Sequence, residues 1–99
     1  MIVEKIGDVD DITLKLIGRI DTATASVLEE VVQGCLEQAK FLVLDCANLE
    51  YVSSVGLCIF LKAQKAMMTQ GDMKLINVNE AVMEVLDITG FSDILTIEQ

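Results

Sequence analysis

The sequence contains no histidine, and this absence removes several classes of catalyst at once. Without an imidazole the chain can build neither a Ser-His-Asp triad nor a Cys-His pair, and it cannot carry a phosphohistidine. Zinc sites that use histidine are excluded for the same reason. The three cysteines, Cys35, Cys46 and Cys58, form no C-x-x-C pair, and we predict that all three are small core residues. We therefore do not expect a single-chain hydrolase, and we predict no metal and no cofactor.

Basic residues are also scarce. Seven lysines and arginines face sixteen aspartates and glutamates, which gives a formal charge of −9. Such a chain repels the phosphate backbone of DNA or RNA, so we expect no nucleic-acid partner. A protein partner with a basic patch is favoured instead.

Long hydrophobic runs are missing too. Apolar residues make up 53% of the 99 residues, yet no run approaches the roughly 20 residues of a membrane-spanning helix. The first ten residues, MIVEKIGDVD, lack the basic and apolar segments of a secretory signal, so we expect a cytoplasmic protein. There is no proline, internal repeat or linker, and the length predicts one domain over residues 1–99.

The remaining pattern predicts short strands that alternate with helices. Strands are expected at residues 2–6, 12–16, 41–44, 73–78 and 94–97, with a turn at 7–11 and a loop at 45–50. The continuous apolar run at 41–44 favours a strand buried on both faces. The resulting order, β-β-α-β-α-β-α-β, predicts an α/β fold with a mostly parallel or mixed sheet of four to five strands and three main helices.

Each of the three helices has its own signals. The first has apolar residues at helical spacing from Leu28 onward, with Asp21 or Thr22 as the expected N-cap. The second begins near Val55 and should end before Gly71. Its expected apolar side is Leu57, Phe60, Leu61 and Met68, with Gln64, Lys62 and Lys65 at the margin or in solvent. Asn79 is expected to cap the third helix, and Gly90 to end it.

A pair of serines interrupts the most apolar part of the chain, FLVLDCANLEYVSSVGLCIFL at residues 41–61. Ser53 and Ser54 fall where a strand and its loop meet the start of a helix, where backbone N–H groups are free and the helix dipole is positive. A serine there is a good N-cap, and Gly56 permits close packing. The same place would hold a phosphate well, so both interpretations remain open. The glycine patterns of dinucleotide folds, P-loops and nucleophile elbows are absent.

These motifs resemble those of the STAS domains, and among them the stand-alone anti-sigma-factor antagonists. The specific part is Val52 to Leu57, an S-S-x-G-L motif that enters a helix. Weaker similarities over nearly the whole chain are Gly18-Arg19-Ile20-Asp21, Leu44-Asp45, Asn77, Val85-Leu86 and Thr89-Gly90.

The resemblance implies a bacterial, cytoplasmic partner switch without catalytic activity. In its unphosphorylated form such a protein binds an anti-sigma factor, which is usually also the serine kinase, and a separate phosphatase resets the switch. The family's acceptor maps onto Ser54. The partner-binding surface is expected to comprise Asp21, Ser53, Ser54, Val55, Gly56 and Ile59, with Met67 or Met68 as further possible contacts.

Three alternatives follow from the same residues. Ser53 stands where well-studied antagonists carry an aspartate, and Val55 stands where they carry a second hydroxyl residue, so Ser53 is an alternative acceptor. The chain is alternatively a constitutive STAS subunit of a larger assembly, such as a transporter ATPase, without phosphorylation. Phosphoryl chemistry by Asp21, Asp45 and Ser54 would need a divalent metal.

Overall fold

A computed structural model describes residues 1–98 and shows one α/β domain. The strands are β1 (Ile2–Gly7), β2 (Asp11–Ile20), β3 (Phe41–Val52), β4 (Asp72–Ile76) and β5 (Ile97–Glu98). The helices are α1 (Ala25–Leu36), α2 (Ser54–Met67) and α3 (Glu80–Thr89), followed by a 3₁₀ turn at Phe91–Asp93. The predicted order of strands and helices is confirmed. None of the helices within residues 1–98 has the length and hydrophobicity to cross a bilayer.

The five strands of residues 1–98 form one mixed sheet in the order β1-β2-β3-β4-β5. The β1–β2 pair is an antiparallel hairpin, and the other pairs are parallel. Because β2 and β3 are parallel, their carboxyl ends meet at the same edge of the sheet. Both α1 and α2 begin at this edge, which therefore carries the serine pair.

In the part of the chain that the structure describes, the helices cover one face of the sheet. Alternate residues of β2 and β3, including Leu14 and Leu44, are fully buried beneath α1 and α2. Two right-handed crossovers that advance in the same direction across a sheet place both helices on the same face. On the other face Val43 is half-buried and Phe41 is 53% exposed. The prediction that residues 41–44 are buried on both faces is therefore wrong.

β3 is much longer than expected, since it continues through residues 45–50, where a loop was predicted. In this part the buried residues, Cys46, Leu49 and Val52, are three positions apart. The pairing with β2 shifts register twice, so the twofold alternation that identifies a strand is lost. β3 consequently extends past the end of β4. There Asn79 Nδ2 donates to the Leu49 carbonyl at 2.7 Å, and α3 packs against β3.

Local capping signals located the ends of α3 correctly. Asn79 Oδ1 accepts from the Val82 N–H at 2.8 Å, and Gly90 ends the helix in the left-handed conformation at φ 81°. The end of α2 before Gly71 is also confirmed. The last strand begins at Ile97 rather than at the predicted residue 94, because Ile94 is the helical C-cap of the preceding 3₁₀ turn.

Some core predictions for α2 are wrong. Met68 is 73% exposed, whereas Gln64 is only 9% exposed and its Oε1 has no hydrogen-bond partner within residues 1–98. The buried stripe of α2 runs through Phe60, Gln64 and Met67, one position away from the expected one. Cys58 is exposed, while Cys35 and Cys46 are buried as predicted.

Burial also fixes the ionisation of the core thiols. It raises the pKa of Cys46 to about 12, with a further contribution from the charge of Asp45, and it raises the pKa of Cys35. Both thiols therefore stay protonated at neutral pH and pack as small apolar groups.

Candidate functional site

Ser53 is the N-cap of α2. Its backbone is extended, with φ −85° and ψ 173°, and its N–H donates to the Ile20 carbonyl at 2.8 Å. Its Oγ accepts from the Gly56 N–H at 3.4 Å. The side chain of Ser53 therefore satisfies one of the free donors in the first turn, as predicted for a serine at this point.

Ser54 is the first residue of α2 and is exposed. Its hydroxyl makes no hydrogen bond to any group within residues 1–98. It lies at the positive end of a 14-residue helix, where the first N–H groups lack helical partners. A negative group added to this oxygen would be stabilised by its surroundings.

Gly56 lets the first turn of α2 approach the sheet closely. A Cβ at this position would lie 2.6 Å from Ile20 Cγ2 and 2.7 Å from Val52 Cγ2, well inside contact distance. Those two residues are buried at the carboxyl ends of β2 and β3. The absence of a side chain at Gly56 thus fixes the position of the serine pair above the sheet.

Asp21 lies at the same edge, in the turn that joins β2 to α1. Its Oδ1 accepts from the backbone N–H groups of Ala23 and Thr24, both at 3.0 Å. The helix N-cap is Thr24 rather than the predicted Asp21 or Thr22, because Asp21 closes the preceding turn instead. The Thr24 backbone N–H lowers the pKa of Asp21, helped by the Thr24 hydroxyl, the Ala23 N–H and the charge of Arg19. This carboxylate is therefore ionised at neutral pH.

Arg19 and Tyr51 form a neighbouring pair across β2 and β3. The Arg19 guanidinium carbon lies 4.7 Å from the centre of the Tyr51 ring, in cation–π geometry, and both side chains are exposed. Sequence reasoning missed this pair, because a register shift between Gly18 and Arg19 hides which residues face each other. The aromatic residue two positions before Ser53 was the available signal.

The predicted partner-binding residues differ in exposure. Val55 is 40% exposed, whereas Ile59 is 4% exposed, and Gly56 is buried. Ile59 forms part of the floor of a shallow groove of about 90 Å³ between α1 and α2. The exposed residue one turn after Ser54 is Cys58, which sequence reasoning assigned to the core.

The groups needed for metal-dependent phosphoryl chemistry are not brought together. Asp45 lies within β3, where its Oδ1 accepts from Ala47 N and Asn77 Nδ2, both at 3.1 Å. No cluster of three histidine, cysteine, aspartate or glutamate side chains suited to a metal ion occurs in residues 1–98.

The fold and the site define a small α/β domain that presents an unbonded serine hydroxyl at the start of a helix. The STAS domain model matches residues 1–99. The chain therefore belongs to the STAS domain family. It is 35% identical to the anti-sigma-B factor antagonist of Bacillus subtilis (strain 168) over 89 residues, which are 89% of this chain and 82% of that protein. It is 31% identical to the anti-sigma-B factor antagonist of Staphylococcus epidermidis over 98% of this chain and 92% of that protein.

Solved structures share the fold at low sequence identity. An anti-sigma factor antagonist from Mycobacterium paratuberculosis has a TM-score of 0.89 and 19% identity, over 98% of this chain and 84% of that one. The antagonist SpoIIAA in its unphosphorylated form has a TM-score of 0.83 and 13% identity, over 99% and 88%. A sulfate transporter family protein from Wolinella succinogenes has a TM-score of 0.75 and 16% identity, over 94% and 79%.

Proposed function

We propose that this protein is an anti-sigma-factor antagonist that acts as a non-catalytic partner switch, as a single domain over residues 1–99. Unmodified, it binds an anti-sigma factor through the surface around Ser54, and phosphorylation of Ser54 ends that binding. The observation that carries the proposal is the exposed, unbonded hydroxyl of Ser54 at the first position of α2. The names of the relatives from Bacillus subtilis and Staphylococcus epidermidis support it.

The geometry favours Ser54 over Ser53 as the acceptor. The Ser53 hydroxyl is half-buried and accepts the Gly56 N–H, so modification there would remove the helix cap. The Ser54 oxygen can be modified without loss of a hydrogen bond. The Ser54 oxygen is therefore more accessible to a kinase than the Ser53 oxygen.

Phosphorylation would act on the docking surface by charge. A phosphoserine carries about −1.5 to −2 charges at neutral pH, and the ionised Asp21 already lies at this edge of the sheet. The added charge would repel acidic groups of the partner that face Ser54, and the added bulk would clash in a tight interface. We expect no refolding, because the start of α2 is fixed by the Ser53 cap and by Gly56. The anti-sigma factor would be the serine kinase, and a phosphatase would restore the serine.

Peptide mapping of protein from its native cells tests the modification. Trypsin should release residues 41–62 as one peptide, whose only hydroxyl residues are Tyr51, Ser53 and Ser54. We expect phosphate on Ser54 in the fraction that does not bind the anti-sigma factor. Phosphate on Ser53 would move the site and keep the switch. The absence of phosphate under all growth conditions would favour the constitutive subunit.

Binding of variants tests the switch itself. Ser54→Ala should retain the anti-sigma factor in a pull-down, and Ser54→Asp should lose it, with a Kd at least tenfold weaker. The matched control is Ser53→Asp, which adds the same charge one residue before Ser54. Equal affinities of Ser54→Ala and Ser54→Asp would overturn the proposal.

A further inference from the structure

The outer edge of β4, on the side away from β3, is mostly without a partner strand. β5 consists only of Ile97 and Glu98, which pair with Leu75 and Ile76 at the end of β4. Within residues 1–98 no strand pairs with this edge at residues 72–74, and we call this stretch the open β4 edge. An open edge presents backbone donors and acceptors with which another chain can pair.

Met73 carries the free backbone groups of the open β4 edge. The Asp72 N–H donates to the Lys40 carbonyl at 2.9 Å, on the β3 side, whereas the Leu75 N–H donates to the Thr96 carbonyl at 2.9 Å, on the β5 side. Because backbone groups alternate in direction along a strand, the N–H and C=O of Met73 face the same way as those of Leu75. Among the described residues, no segment on that side hydrogen-bonds to either group of Met73.

A groove lies beside the open β4 edge, on the face of the sheet that the helices leave uncovered. Its volume is about 300 Å³, and it extends from Phe41 and Val43 on β3 across β4 to Thr96. Phe41 is 53% exposed and Val43 is half-buried, so these two side chains form an apolar wall. Alternate side chains of a strand added to β4 would point to this face. The groove therefore offers an apolar contact to a chain that pairs with Met73.

The charge that remains free at the groove is negative. Lys74 lines the groove, but its Nζ lies 3.1 Å from Glu98 Oε2 in an ion pair. Asp72 also lines it and is exposed, and in the part of the chain that the structure describes its carboxylate makes no ion pair or hydrogen bond. Asp93, also exposed, lies three residues before Thr96. In a chain with a formal charge of −9, these carboxylates favour a basic occupant.

We propose that the open β4 edge binds an extended, basic segment of a partner protein, which adds to the sheet as a short strand. The Met73 N–H and C=O would bond to its backbone, a basic side chain would pair with Asp72, and a long apolar side chain would cover Phe41. Phe41 begins β3, whereas Ser54 follows the end of β3, so the two surfaces lie at opposite ends of that strand. The inference goes beyond the partner switch and does not depend on it.

Amide NMR with defined peptides tests the inference. The probe is a capped heptapeptide, KVKVKVK, titrated into ¹⁵N-labelled protein. We expect shifts at residues 72–74 and 96, and at saturation the Met73 amide hydrogen should exchange about tenfold more slowly or less. Two control peptides should bind about tenfold more weakly. EVEVEVE reverses the charge, and KVKVKVK that is N-methylated at every internal residue keeps the charge but loses the backbone donors.

Matched variants separate the groove from general charge attraction. Asp72→Lys should weaken the Kd for KVKVKVK about fivefold or more, whereas Asp87→Lys, with the same change of net charge on α3, should stay within about twofold of the wild type. Phe41→Ser should also weaken binding, and Ile88→Ser, at a residue that is 77% exposed on α3, should not.

Several results would overturn the proposal. Slow exchange of the Met73 amide hydrogen in the free protein would show that the edge is already closed. Absence of shifts at residues 72–74 would show that no strand adds there. Equal affinities for the basic and acidic peptides, or equal losses in Asp72→Lys and Asp87→Lys, would remove the charge selection on which the choice of occupant depends.

Discussion

Two helices begin side by side at the same edge of the sheet, and they use their hydroxyl residues in opposite ways. Before α1, the Thr24 hydroxyl accepts from the Asp21 N–H at 2.9 Å and donates to the Arg19 carbonyl at 2.8 Å. At the start of α2, Ser53 makes the cap and the Ser54 hydroxyl points into solvent unbonded. A chemically available hydroxyl therefore depends on which neighbour makes the local hydrogen bonds. Single substitutions can alter either side of this comparison.

Gly56→Ala should have the largest effect, and only on the α2 side. The added Cβ meets Ile20 and Val52 at less than 3 Å, so the first turn must move, at a cost of roughly 1–3 kcal/mol. Urea unfolding measures the cost, and binding of the anti-sigma factor should weaken with it. Gly34→Ala is the matched control in α1, because nothing lies within 4 Å of its Cβ. It should stabilise the protein by about 0.5–1 kcal/mol, and a loss there as large as for Gly56 would contradict the packing argument.

Ser53→Ala removes the cap of α2 and should cost less. Loss of an N-cap typically destabilises by about 0.5–2 kcal/mol, and the 3.4 Å bond places this one near the lower end. The free energy of unfolding from urea titration measures it. An effect below the experimental error would mean that the cap is not formed in solution.

The Asp21 turn should appear as a pH effect on the α1 side. Because the pKa of Asp21 is lowered in the folded state, its contribution to stability is present above the unfolded pKa and is lost as the pH falls through the folded pKa. In Asp21→Asn the free energy of unfolding should therefore fall less between pH 5 and 2. Parallel curves for the two proteins would show that Asp21 does not bond to the turn.

Ser54→Ala should be the smallest change, within about 0.5 kcal/mol of the wild type, because no hydrogen bond is lost. Thermal unfolding measures it beside Thr24→Ala, which removes a hydroxyl that is hydrogen-bonded to Asp21 and Arg19 in the neighbouring turn. Equal losses of stability in the two variants would contradict the proposed difference between the two helix starts.

Sequence reasoning succeeded at the ends of α3, where local chemistry decides the structure, although it misplaced the N-cap of α1. Asn79 and Gly90 mark the two ends of α3, because an amide cap and a left-handed glycine act within one turn of the chain. It failed where contacts between residues distant in the sequence decide the structure. The second half of β3 was not recognised as a strand, because its pairing with β2 shifts register. The contact between Arg19 and Tyr51 depends on the same shifted pairing.

The candidate site was predicted in part for the same reason. The helix start and Gly56 could be read from residue types, and the family resemblance selected Ser54. Which serine makes the cap depends on backbone angles that residue types do not specify. The burial of Ile59 and the exposure of Cys58 depend on how α2 is rotated above the sheet.

The unequal lengths of β3 and β4 bear on the motions of the site. Within residues 1–98, the part of β3 after Asp45 pairs with β2 but with no strand on its other side, where Asn79 and α3 contact it. Amide hydrogens from Leu49 to Val52 should therefore exchange with solvent through opening of a two-stranded ribbon rather than of the whole sheet. Loosening of α3 would speed the exchange of these amide hydrogens. It would thus increase the motion of the strand that precedes Ser54 without opening the hydrophobic core.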